Sequence, residues 1–169
     1  LDSNELEENL KVKYEFSFEG VEGSFPGWRR YGNDGYGEDE YSGLGYKATN
    51  QHTPGQRGRV WPFFTGERGH FELALAKTTD NQISDKELTQ LKNTYVKAME
   101  LFANEGMMLP EQVWDGVGNN ETYKYTKGEG TNSATPLAWT HAEYVKLVRS
   151  YADKQVWDNY QELTKKLQR

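Results

Sequence analysis

A chain of 169 residues is long enough for one compact domain and short of two. With 26 acidic against 20 basic residues its formal charge is -6, which lacks the basic footprint of a nucleic-acid binder, and the absence of cysteine excludes disulfide frameworks, thiolate zinc sites and cysteine nucleophiles. No apolar run approaches the ~18 residues that suggest a membrane span, so neither nucleic acid nor a membrane is expected as a partner.

The first ten residues are acidic and read as frayed or helical. Over 11–18, Val12, Tyr14, Phe16 and Phe18 alternate with Lys11, Lys13, Glu15 and Ser17, the period-two pattern of a half-buried strand. From Gly20 to Gly69 the chain holds 12 of its 17 glycines and three of its five prolines, and reads as loop until a short helix begins near Thr65. A single helix is predicted from Ile83 to Gly106: Ser84 and Glu87 form a capping-box pair, Leu88, Leu91, Tyr95, Met99 and Phe102 share one stripe, and Gly106 is the stop. A second loop region runs from Gly106 to Thr135. Thr135 then caps a helix with Pro136 in its first turn, running to about Ala152, whose wide buried face combines Leu137, His141, Tyr144, Val148 and Tyr151 with Ala138, Ala142, Val145 and Ala152. A last segment puts Val156, Tyr160, Leu163 and Leu167 on one stripe and ends basic. The predicted class is mainly α, with one short strand or hairpin and long glycine- and aromatic-rich loops, as a single domain over 1–169.

Several short patterns lack the context their chemistry needs. Gly43 to Ala48 fits the dinucleotide fingerprint, but no strand precedes it and no helical period follows, so it reads as a turn. His141, Ala142 and Glu143 spell the H-x-E of zinc deaminases without the cysteine pair that motif requires. His52, His70 and His141 stand at no metal-ligand spacing and have no evident orienting partner, so they read as packing or surface residues and no metal is expected. Asp34, Glu38, Asp39 and Glu40 read as a solvated acidic loop. What remains is a set of carboxylates among rings, with aromatic residues at 14% of the chain. Carbohydrate chemistry uses that combination, because sugar faces rest on aromatic rings while paired carboxyls serve the glycosidic oxygen and the attacking water.

LPEQVWDG (109–116) and TNSATPLAWTHAEYVKL (131–147), together with RRYGNDGYGE (29–38) and GRVWPFFTGERGHFELAL (58–75), resemble in the same order the C-terminal part of the catalytic domain of bacterial glucoamylases, glycoside hydrolase family 15. The resemblance covers roughly Trp28 to Tyr151. It implies part of an (α/α)6 barrel, and hydrolysis of α-glucosidic bonds from non-reducing ends with inversion, acting on an α-glucan or maltooligosaccharide without a cofactor. On its own Glu111 reads as a surface carboxylate flanking a helix; by resemblance it matches the family's general base. Arg30 matches an arginine that binds sugar hydroxyls, Trp139 a pocket-lining tryptophan, and Trp114 would join the same wall.

The family's general acid lies earlier in the barrel, and nothing in this chain matches it; Glu67, in GERG, reads as a stabiliser of a helix N-terminus. The chain also opens on Leu1. It is therefore expected to be a C-terminal piece of a larger enzyme, whose partner is the upstream part that carries the acid. Three to four helices cannot close a barrel of twelve, so an apolar stripe is expected to face water in isolation. A non-catalytic saccharide-binding or interaction module built on the same aromatic wall is the second reading. No compartment is assigned; the extracellular or periplasmic side is slightly favoured over the cytoplasm.

Overall fold

The computed structural model of the chain describes residues 10–18, 21–30, 37–45, 53–80, 82–157, 159, 160 and 166. Strands β1 (Lys11–Phe18) and β2 (Val21–Trp28) form an antiparallel hairpin with Lys11 opposite Trp28 and Tyr14 opposite Phe25. The expected alternation in β1 holds, with Val12 and Tyr14 buried and Lys11, Lys13 and Glu15 exposed. The second strand lies inside the stretch read as loop. Gly23, Pro26 and Gly27 conceal it from a propensity reading, yet both strands of a two-stranded sheet are edges, where proline is tolerated. Gly27 has a packing reason of its own: a Cβ there would lie 2.7 Å from Val60 Cγ1 and 3.0 Å from the Tyr14 ring.

Helix α1 (Pro62–Asp80) starts ahead of Thr65, and Pro62 takes the first-turn position where a missing N–H costs no helix bond. Thr65 is buried, its hydroxyl donating to Pro26 O at 3.1 Å, and Glu67 stands exposed beyond the first turn instead of at the N-terminus. Helix α2 (Asp85–Leu91) carries the expected capping box: Glu87 N–H donates to Ser84 Oγ at 3.2 Å and Ser84 N–H to Glu87 Oε2 at 3.2 Å. It continues through a π-helical turn (Lys92–Val96) into α3 (Lys97–Leu101). The wider turn shifts the apolar stripe by a residue, so burial falls on Tyr95, Val96, Ala98 and Met99 while Leu88 and Leu91 are half-covered. The rod ends at Leu101 rather than Gly106, because Asn104 Oδ1 accepts from both Gly106 N and Met108 N at 3.0 Å and winds the chain into a turn.

Helix α4 runs Ala138–Asp153 and closes on Lys154 in the left-handed conformation. Thr135 does not cap it: Leu137 is the extended N-cap residue, and its N–H donates to Leu109 O at 2.9 Å, which holds 135–137 away from the helix. The buried face is Thr140, Glu143, Leu147, Ser150 and Tyr151. Of the predicted stripes only Tyr151 is buried: Leu137, His141 and Tyr144 are half-covered and Ala138, Ala142, Val145, Val148 and Ala152 are exposed, because α4 turns Thr140, Glu143, Leu147 and Ser150 inward instead; with Phe71 and Leu75 on α1 also exposed, apolar side chains face water. Val156 packs on the core, while Leu163 and Leu167 lie outside the described residues.

Two cores result. Leu73, Ile83, Tyr95, Val96, Met99, Leu147 and Tyr151 join the helices, and Val12, Tyr14, Val60, Phe102 and Val113 join the hairpin to the loops. Between α1 and α4 the contact is close: a Cβ on Gly66 would lie 2.7 Å from Glu143 Cγ, and one on Gly69 would lie 2.8 Å from Leu147 Cδ1.

Candidate active site

Four segments that carry little regular structure run side by side. Bridges link Arg29 to Val60, Val60 to Val113 and Val113 to Gly130, and Trp61 N–H donates to Trp28 O at 3.0 Å. The rungs gather the residues after β2, those before α1 and the 111–115 segment in one place. Backbone pairing alone would leave such a narrow ladder weak. Buried charge reinforces it.

Arg59 has no exposed side-chain surface. Its Nε lies 3.2 Å from Glu38 Oε2, its Nη1 bonds Asp115 Oδ1 and Val117 O at 2.9 Å each, and its guanidinium lies 4.0 Å over the Trp114 ring. Arg29 Nε takes the other oxygen of Asp115 at 2.7 Å, and Tyr125 Oη donates to Glu38 Oε1 at 2.9 Å. Glu38 and Asp115 therefore each meet a guanidinium and further donors, which is the condition for a buried ion to persist. Tyr14 donates to Trp114 O at 3.1 Å, and burial first, then the Asp115 charge, pushes its hydroxyl well above the ordinary tyrosine range. The acidic run is thus partly internal rather than solvated: Glu38 and Asp39 are buried, and Asp39 accepts from Tyr41 N, Ser42 N, Ser42 Oγ and Thr53 Oγ1. These bonds, the Thr53 one foremost, hold its carboxyl below the ordinary value.

Glu111 lies beside this frame, half-buried, on a peptide held from several directions. Its N–H donates to Ala134 O at 2.8 Å. Upstream, Pro110 O accepts from Thr140 Oγ1 at 3.0 Å, and Leu109 N–H donates to His141 Nε2 at 3.0 Å. Trp139, immediately before Thr140, is 54% exposed, and its ring stacks on buried Phe63 at 4.0 Å and 14°. Phe63 in turn meets Trp61 edge-on at 5.5 Å, and the Arg30 guanidinium lies 5.0 Å over the Trp61 ring. Arg30 and Trp139 are so joined through two rings, with Trp139 tied to the Glu111 segment by the first turn of α4. Trp114 is turned into the buried frame between Arg59 and Tyr125. Trp61 and Phe63 lie within the 58–75 stretch with no local signal of a role; their contacts to Arg30 and Trp139 single them out.

His70 and His141 do have partners, and His52 lies outside the described residues. His70 Nδ1 lies 2.8 Å from Glu143 Oε1, and Lys146 Nζ lies 2.8 Å from Glu143 Oε2. The H-x-E pattern splits: His141 reaches toward the Glu111 segment while Glu143 turns into the α1–α4 contact.

Helices packed against a loop frame that gathers a carboxylate, an arginine and ring faces define a mainly helical protein whose loops carry the candidate site. The chain belongs to glycosyl hydrolase family 15, which matches residues 3–149. A glucoamylase of Clostridium sp. (strain G0005) is 41% identical over 133 residues, which cover 79% of this chain and 15% of that protein. The crystal structure of a bacterial glucoamylase complexed with acarbose matches with a TM-score of 0.58 at 35% identity, over 89% of this chain and 17% of the other. The fold is accordingly of the glucoamylase-like, helical-toroid kind, and the chain corresponds to roughly a sixth of the length of these relatives.

Proposed function

We propose that the chain is a C-terminal segment of a glucoamylase-like (α/α)6 barrel that removes glucose units from the non-reducing ends of α-glucans, and that it contributes the general base. Glu111 takes a proton from a water whose oxygen attacks the anomeric carbon as the glycosidic bond breaks, and a carboxylic acid outside this chain protonates the departing oxygen. The configuration at that carbon inverts, which sets the two carboxyls ~6.5–9.5 Å apart to admit the water. Arg30 binds sugar hydroxyls and Trp139 offers its open face to a sugar ring, while Trp114 stays in the buried frame between Arg59 and Tyr125.

The observation that carries this reading is the pairing of Glu111, on a peptide bonded at Leu109, Pro110 and Glu111, with the exposed Trp139 face one residue from the same bonds. Family membership and the acarbose complex of a similar protein support it. The test is glucose release from maltooligosaccharides by the chain complemented with an acid-bearing upstream segment. Glu111→Gln should lower the rate by ~10²–10⁴-fold. Undiminished release by that variant removes Glu111 as the base, and release by the chain alone places an acid within it.

A further inference from the structure

Pro110 has no N–H, so the Leu109–Glu111 stretch has only two backbone donors with which to fix its direction. One, from Glu111, goes to a backbone carbonyl; the other, from Leu109, goes to the imidazole of His141 at 3.0 Å. The two carbonyls before Glu111 are also taken, that of Leu109 by Leu137 N–H at 2.9 Å and that of Pro110 by the Thr140 hydroxyl at 3.0 Å. All four partners come from residues 134–141. Only Thr140 and His141 act through side chains, and they are adjacent on the first turn of α4.

The histidine bond carries chemical information. Leu109 N–H is a donor, so Nε2 must offer its lone pair and the ring proton must sit on Nδ1. A group with an acceptor at that point suffices, and one without it leaves the Leu109 amide unbonded just ahead of the carboxylate.

We propose that His141 is a positioning residue for Glu111. It acts through the Leu109 amide, fixing the angle at which the carboxylate is presented and coupling that angle to Trp139 on the same helical turn. This rests on the reading of Glu111 as the base. Its weight is kinetic, because misplacing a reacting group by about 1 Å costs up to ~10²-fold in rate.

The test uses three variants and two measurements. His141→Gln sets an amide oxygen where Nε2 lies; His141→Asn keeps a polar group that falls short of Leu109; His141→Leu has no acceptor. In the complemented enzyme, Asn and Leu should lower kcat by ~10–10²-fold with KM within about twofold, while Gln stays within about threefold of the unaltered protein. Amide hydrogen exchange at Leu109, followed on the chain itself, should quicken at least ~10-fold in the Asn and Leu variants and return in Gln. If Leu fails to fold, the Asn–Gln contrast carries the same comparison. Equal kcat in Asn and Gln, or a loss confined to KM, overturns the proposal, as does unchanged Leu109 exchange. Glu111→Gln, assayed in parallel, separates the two readings: activity retained there removes the base, whereas exchange at Leu109 reports on the histidine bond alone.

Discussion

Between α1 and α4 the chain is held by close helix contact, with Gly66 and Gly69 letting Glu143 and Leu147 approach. Among the described residues of 29–61 and 111–131 it is held by buried ions and by side chains bonded to backbone, with Arg59 and Asp115 at the centre. The first region draws on periodic patterning and local bonds, the second on individual groups that meet only once the chain has folded. Changes in the first should be graded, and changes in the second abrupt.

The strongest contrast is expected at Arg59. Arg59→Leu leaves Glu38 and Asp115 buried with fewer donors and should cost about 3–5 kcal/mol, read from denaturant unfolding. A cost below about 1 kcal/mol would place the strength of the loop frame in its backbone rungs instead. In the helical region, Gly69→Ala should lower stability by about 1–3 kcal/mol, despite the roughly 1 kcal/mol that alanine gains in helix propensity, because its Cβ meets Leu147 and Tyr95. A stabilised variant would show that α1 and α4 can part without penalty.

Acid sharpens the comparison further. Burial of Glu143 raises its carboxyl pKa, but the contacts from His70 and Lys146 outweigh that, and its net value lies below the ordinary 4.5. A depressed folded-state value means stabilisation present above the unfolded value and lost as pH falls through the folded one. Glu143→Gln should therefore flatten the fall of Tm between about pH 6 and about pH 3, and an unchanged slope would assign the acid sensitivity to other carboxyls. The smallest effect belongs to the exposed capping box, where Ser84→Ala should cost about 1 kcal/mol in thermal unfolding.

What the sequence disclosed follows the same division. Ser84, Glu87 and the alternation of Val12 and Tyr14 act on neighbours a few positions away, so their effects are written locally. Thr135 and Pro136 carry a helix-start signal that the structure overrides, since Leu137 is captured by Leu109 and becomes the N-cap residue. The π-helical turn is invisible to a fixed 3.6 period. In the site, Glu111, Arg30 and Trp139 were singled out by resemblance, whereas Trp61, Phe63, Arg59 and His141 emerge only from contacts across the fold. Composition offers no signal for a histidine that accepts from a backbone amide 32 positions earlier.

The span of those contacts also bears on assembly. Tyr14 reaches Trp114 across 100 residues of chain, Tyr125 reaches Glu38 across 87, and Arg29 reaches Asp115 across 86. Helical turns can form and dissolve on their own segments, but these bonds of the frame require closure of large loops before they are gained, which slows folding of such regions. The hairpin and the 111–125 stretch must meet before Tyr14 reaches the Trp114 carbonyl. A nick anywhere between them would turn one intramolecular search into an encounter between two separate pieces.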